Sequence, residues 1–197
     1  IRLTRLGKNN QPWMGEIDGV PLIERMLTQL DNSIVSRIIL ITRDNKESLI
    51  EFTERLNLKT ELVFLENKFY KESKSIYSIF LGREYLSMDD TVILNSQLVL
   101  EDNLLESILE TDGECVVSVD IYKNWMTGKP VFVDGNARVL SVGQEPQMAS
   151  TLQLNSYRMV GICKFDMNFT KKYFQMLKMY MKHAIFKSQH WILQIMI

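Results

Sequence analysis

The chain has 197 residues, enough for one sizeable hydrophobic core. Hydrophobic residues make up 46% and charged residues 24%, the balance of an ordinary globular protein and not of a disordered or fibrous one. A formal net charge of −1 with no purely basic run argues against nucleic acid as the main partner, because a duplex binder needs clustered cations to displace counterions.

In chain order, the first twelve residues read as loop, with Gly7, the polar run Lys8-Asn9-Asn10-Gln11 and Pro12. A helix is expected to open at Gly19-Val20-Pro21, with Pro21 in its first turn and Leu22, Ile23, Met26, Leu27 and Leu30 at helical spacing. Val35 to Thr42 is β-branched and continuous, the signature of a strand buried on both faces. Lys46 to Leu56 then reads as an amphipathic helix, and Thr60 to Leu65 as a second short strand. Ser73 to Tyr85 has apolar residues at helical spacing, with Ser73 or Ser75 suited to capping its start. Thr91 to Leu94 is a strand running out into a polar tip, Asn95-Ser96-Gln97, before a helix from Asn103 to Glu110. Glu114 to Asp120 is another apolar strand.

From Lys129 to Val142 the pattern becomes a hairpin, two alternating strands around Asp134-Gly135-Asn136. Tyr157 to Phe165 makes a final strand, and Asn168 to His183 a Met- and aromatic-rich helix. Strands alternating with helices through short joints predict a three-layer α/β/α, Rossmann-like domain over residues 1–197, with a mixed, mostly parallel sheet and a hairpin insertion. Ligands of such sheets bind outside the carboxyl ends of the strands, which makes the Asn95–Gln97 tip a candidate site.

Cys115 and Cys163 lie in apolar stretches and read as buried reduced thiols, which favours a cytoplasmic protein. No stretch reaches the ~18 to 20 uncharged apolar residues of a membrane span. Ile1 to Lys8 has no apolar core of a signal peptide, and without an initiator methionine the domain is open to truncation at both ends. The sequence leaves the oligomeric state open.

Several segments, in this order, resemble the nucleotidyltransferases that activate sugar phosphates and phosphocholine, nearest the choline-phosphate cytidylyltransferases. They are Glu16-Ile17-Asp18-Gly19-Val20-Pro21-Leu22-Ile23, Ile38 to Thr42, Ser75-Ile76-Tyr77-Ser78, Ile93-Leu94-Asn95-Ser96-Gln97, Val139 to Gly143 and Gly161 to Phe165. The resemblance implies a nucleotide-diphosphosugar-transferase fold. It also implies a reaction in which a substrate phosphate attacks the α-phosphate of a nucleoside triphosphate, CTP favoured, and pyrophosphate leaves. The acceptor is then phosphocholine or a sugar phosphate, and Mg²⁺ is the expected metal.

Such chemistry needs backbone donors for phosphates, a cation near the α-phosphate and carboxylates for the metal. The resemblance points to Arg5, Gly7 and Lys8 for the phosphate loop, although the segment holds a single glycine and no strand precedes it. The lysine-bearing segment of the family falls on Asn10-Gln11-Pro12-Trp13-Met14, which contains no lysine. Its metal aspartate falls on Gln97, an amide that substitutes poorly for a carboxylate on Mg²⁺. Catalytic candidates are therefore Lys8, Gln97 and Lys129. Nucleotide-contact candidates are Arg5, Gly7, Asn95, Ser96, Ser75 and Tyr77. Metal candidates are Asp166, the preferred one, and Asp120. Trp125 and Tyr157 could cage a quaternary ammonium, with packing the commoner fate. The altered lysine and aspartate positions keep a second reading open, a catalytically degenerate homologue acting as a nucleotide-binding or regulatory module.

Overall fold

The structure, a computed structural model, describes residues 12–43, 46–71, 73, 75–123, 125–126, 130–143 and 155–183. After a single 3-10 turn at Pro12–Met14, a small ribbon forms from β1 (Glu16–Ile17) and β2 (Val20–Pro21), closed by Asp18 and Gly19, both with left-handed φ. Helix α1 (Leu22–Asp31) starts one residue after Pro21, which sits at the cap and not in the first turn. Its apolar stripe of Leu22, Ile23, Met26, Leu27 and Leu30 is buried as the 3.6-residue period predicts.

β3 (Arg37–Thr42), α2 (Lys46–Glu54) and β4 (Glu61–Glu66) form a crossover unit in which β3 and β4 pair in parallel, Arg37 opposite Glu61 and Thr42 opposite Glu66. Asp31 ties α1 to the start of β4. Its Oδ1 accepts from the Thr60 hydroxyl (2.7 Å) and from the backbone N–H groups of Lys59 (2.8 Å) and Thr60 (2.7 Å). The Thr60 hydroxyl and backbone bonds hold the Asp31 carboxyl below its usual pKa.

The long helix expected at Ser73–Tyr85 is two, α3 (Ser75–Leu81) and α4 (Arg83–Leu86), broken at Gly82. A Cβ on Gly82 would meet the Leu86 side chain of α4 closely, with Cδ1 at 3.1 Å, and Ile41 Cδ1 of β3 at an ordinary contact distance of 3.5 Å.

A second, five-stranded sheet comprises β5 (Thr91–Leu94), β6 (Cys115–Ile121), β7 (Pro130–Val133), β8 (Val139–Val142) and β9 (Asn155–Phe165), with α5 (Asp102–Glu110) joining β5 to β6. The long β9 is its axis. β5 pairs with the second half of β9 and β7 with the first half, while β6 runs along it, and all three pairings are antiparallel. Every pairing in this sheet is thus antiparallel, and among the described strands the parallel pairing expected for most of the sheet is confined to β3 and β4. The reason is the direction of β9, which enters between β5 and β6 against both.

β7 and β8 form the predicted hairpin, whose turn is closed by Asp134 Oδ1 accepting from Asn136 N–H (2.8 Å) and Arg138 N–H (2.9 Å). Helix α6 (Met167–His183) follows β9.

Residue parity builds the layers. Val92 and Leu94 of β5 pack with α1, α2 and α5 in one core, and Ile93 packs with α3, α4 and α6 in another, the strand alternation that a three-layer domain requires. β3 and β5 share the first core yet are not hydrogen-bonded to each other, and Ile39 to Ile41 and Val92 to Leu94 are only half-buried.

Cys163 is buried and Cys115 half-buried, and both are free thiols. Burial pushes Cys163 to about 12 and Cys115 to about 11. Among the described residues no helix is long and apolar enough to cross a membrane.

Candidate functional site

The two ends of the sheets are fixed by a few contacts. Arg37 Nη1, at the start of β3, lies 3.8 Å from Met88 Sδ just ahead of β5, so these strands begin at the same edge. Their carboxyl ends, Thr42 with Arg43 and Leu94 with Asn95, therefore share the opposite edge. β6 also runs with β5, because both are antiparallel to β9. The carboxyl edge thus gathers Arg43, the Asn67–Ser73 loop after β4, the Asn95–Gln97 tip and the end of β6.

The tip is a built turn. Asn95 N–H donates to the Gly161 carbonyl (3.0 Å), its Oδ1 accepts from Gln97 N–H (3.2 Å), and its carbonyl accepts from Leu98 N–H (3.2 Å). An asparagine does this well because its short amide mimics a backbone carbonyl two residues on. Across from it Gly161 has φ +99°, and a Cβ there would stand 3.2 Å from Asn95 Cβ. Asn95 therefore shapes the tip with its Oδ1, while the exposed Ser96 and Gln97 side chains face outward.

The carboxylates are arranged otherwise than the sequence suggests. Asp166 follows Phe165, which pairs with Thr91 at the start of β5, so it lies at the amino edge, the length of β5 away from the tip. There its Oδ1 accepts from Phe169 N–H (2.6 Å), capping α6. Beside it Asp90 Oδ1 accepts from Met167 N–H (2.9 Å). Asp166 is thus a helix cap, and the preference for it over Asp120 is reversed by the antiparallel sense of β9. Asp120, opposite Arg158, does lie toward the carboxyl end, but on the far side of β9 from β5, with its Oδ1 accepting from Ile121 N–H (2.7 Å). Among the described residues no three His, Cys, Asp or Glu side chains come together as a metal site. Among the described residues the tip itself offers the amide oxygens of Asn95 and Gln97, which do not fit the Mg²⁺ that the resemblance implies.

Arg5, Gly7, Lys8 and Lys129 lie outside the described residues, as does the side chain of Ser75, whose backbone opens α3. Tyr77 is half-buried on α3, edge-on to Phe69 with ring centroids 6.0 Å apart and tilted against Phe80 at 6.5 Å, so its ring is largely spent on packing. Tyr157 packs in the β6–β7–β9 core, whereas Trp125 is 70% exposed beneath Lys123, and the two do not form one cage.

Sequence reasoning missed the loop after β4. Asn67 is 2% exposed, and its N–H donates to the Thr42 carbonyl (2.8 Å). Its Nδ2 donates to the hydroxyls of Ser73 and Ser78 (3.0 Å each), and its Oδ1 accepts from Phe69 N–H (3.0 Å). The available signal was an asparagine directly after an apolar strand with serines six and eleven residues on, which separately look like ordinary loop composition.

The structure superposes on an inositol-1-phosphate CTP transferase of T. maritima with a TM-score of 0.63 at 17% identity, covering 84% of this chain and 64% of that one. It superposes on the CTP:phosphocholine cytidylyltransferase of Streptococcus pneumoniae with a TM-score of 0.59 at 17% identity, over 98% and 78%. The fold is that of the nucleotidyltransferases.

In sequence, the chain is 30% identical over 89 residues to the choline-phosphate cytidylyltransferase of Haemophilus influenzae, covering 45% of the chain and 36% of the relative. It is 25% identical over 166 residues to the 2-aminoethylphosphonate cytidylyltransferase of Lancefieldella rimae (84% and 62%), and 22% identical over 165 residues to the bifunctional protein GlmU of Methanococcus aeolicus (84% and 37%). These relatives place the nucleotidyltransferase resemblance near the choline-phosphate cytidylyltransferase branch. The chain spans between 36% and 62% of the length of these curated relatives. No protein-family model matches it.

Proposed function

We propose that this chain carries the nucleotide site of a cytidylyltransferase-like protein, which transfers a nucleotidyl group from CTP to a phosphorylated small molecule such as phosphocholine, 2-aminoethylphosphonate or a sugar phosphate. The observation that carries the reading is the Asn95–Gln97 tip at the carboxyl edge of the sheet, in a nucleotidyltransferase fold whose sequence relatives include two cytidylyltransferases. In that reaction a phosphate or phosphonate oxygen of the acceptor bonds to the α-phosphorus as the bond to the β-phosphate oxygen breaks, and pyrophosphate carries away the electron pair. The described residues contribute positioning. Asn95 holds the turn, which sets the exposed Ser96 hydroxyl and Gln97 amide where a nucleotide can meet them.

A second reading, a degenerate homologue that binds nucleotide without turnover, is favoured by Gln97, an exposed amide at the place of the family's metal aspartate. Calorimetric titration with CTP, ATP, GTP and UTP, with pyrophosphate release measured on phosphocholine and 2-aminoethylphosphonate, tests both. Selective CTP binding with pyrophosphate release supports the transferase. CTP binding without release, together with a large gain of Mg²⁺-dependent release in Gln97→Asp, supports the degenerate reading. Absence of binding to any nucleotide removes both.

A further inference from the structure

Arg43 and Lys71 come from different elements and are brought to one aromatic ring. The Arg43 guanidinium carbon lies 5.6 Å, and Lys71 Nζ 5.8 Å, from the centroid of Tyr70. The segment after β4 that carries Tyr70 and Lys71 is hydrogen-bonded to the end of β3 and to itself. Asn67 is hydrogen-bonded to Thr42, the residue before Arg43. Tyr70 N–H then donates to the Asn67 carbonyl (3.2 Å), and Ser73 N–H to the Phe69 carbonyl (2.7 Å). The buried Asn67–Ser73–Ser78 contacts lock the same loop from beneath.

An aromatic face attracts a cation without cancelling its charge. Neither Arg43 nor Lys71 takes part in the ion pairs among the described residues, which are Arg37–Glu61, Arg83–Glu84 and Lys172–Glu114. Arg43 and Lys71, both exposed, therefore place two positive charges against one ring, just after β3 and β4 on the carboxyl edge, in a protein whose net charge is −1. A phosphate monoester carries a charge of roughly −1.5 to −2 at pH 7 and offers three acceptor oxygens, which matches one guanidinium and one ammonium.

We infer that Arg43 and Lys71, held on Tyr70 by the Asn67-anchored loop, form the subsite for the terminal phosphate of the acceptor. This rests on the proposed transferase reading for the identity of the ligand, while the cationic pair itself is a feature of the fold. Tyr70 is a positioning residue here, and Arg43 and Lys71 are the binding groups.

The test is calorimetric titration of the intact chain with inorganic phosphate, phosphocholine, choline and CTP, for the wild type and for Arg43→Gln/Lys71→Gln. Both substituted side chains are exposed, so the fold tolerates the change, and Arg43→Lys serves as the charge-keeping control. The wild type is expected to bind phosphocholine and phosphate, and choline at least tenfold more weakly. The double variant should lose tenfold or more in phosphocholine and phosphate affinity, CTP affinity should stay within about twofold, and Arg43→Lys should lose less than the double variant.

Unchanged phosphocholine binding in the double variant, or no phosphate binding by the wild type, overturns the subsite. A loss confined to CTP overturns its assignment to the acceptor and gives the pair to the nucleotide. If CTP fails to bind the wild type while phosphate binding still depends on Arg43 and Lys71, the transferase reading falls and the anion subsite stands.

Discussion

Gly161→Ala probes the contact that shapes the strand tip. Gly161 has φ +99°, beyond the left-handed region that non-glycine residues occasionally adopt, so an alanine there carries backbone strain of roughly 1–3 kcal/mol. Its Cβ would also stand 3.2 Å from Asn95 Cβ, where the hydrogen bond from Asn95 N–H to Gly161 (3.0 Å) leaves little room to yield. Strain and contact together should destabilise the protein by about 2–4 kcal/mol, a fall in melting temperature of roughly 5–15 °C for a chain of this size.

Two controls separate these causes. Gly19 has φ +77° with nothing within 4 Å of an added Cβ, so Gly19→Ala carries strain alone. Gly135 has neither positive φ nor a close neighbour, and Gly135→Ala should change stability by about 0.5 kcal/mol or less. Urea unfolding of the three variants gives the order, and amide NMR shifts at Asn95 to Leu98 report whether the tip moves. A cost for Gly161→Ala no larger than that for Gly19→Ala, with the Asn95 to Leu98 amides unmoved, would refute the close-approach argument.

Two further outcomes follow from buried polar groups. Tyr173 is fully buried and its hydroxyl has no hydrogen-bond partner among the described residues, so Tyr173→Phe should be neutral or stabilising by about 1 kcal/mol in urea unfolding, and a loss above about 1 kcal/mol would show a partner for that oxygen. The thiols of Cys115 and Cys163 are raised from 9.0 to about 11 and about 12, so between pH 9 and about 11 the unfolded chain releases protons that the folded one keeps. Stability should therefore be unaffected by the thiols below pH 9 and fall as pH rises through that window. Urea midpoints between pH 8 and 10.5 for wild type and Cys163→Ala check this, the variant showing the shallower decline.

Local patterning carried most of the elements. The β-branched runs around Ile38–Ile41 and at Thr91–Leu94 became β3 and β5, the apolar stripe of Leu22 to Leu30 became α1, and the Asp134–Asn136 turn closed its hairpin. These features depend on neighbours a few residues apart, through side-chain periodicity and turn conformation, so the sequence displays them directly. Gly82 shows the margin of such reading. It separates α3 from α4, and a Cβ there would meet Leu86 at 3.1 Å, a neighbour that only the folded chain supplies.

The sequence by itself determined the alternation of strands and helices, the amides at the end of β5 and the absence of a carboxylate at Gln97. Only the tertiary structure decided which charged groups meet. The antiparallel course of β9 sends Asp166 to the amino edge and leaves Asp120 across the sheet from the tip, because strand direction is a property of pairing between distant segments. The anchoring of Asn67 to Thr42 brings Arg43 and Lys71, 28 positions apart in the sequence, onto one ring. Charge is written residue by residue, but its convergence at an edge depends on how the strands are ordered and directed.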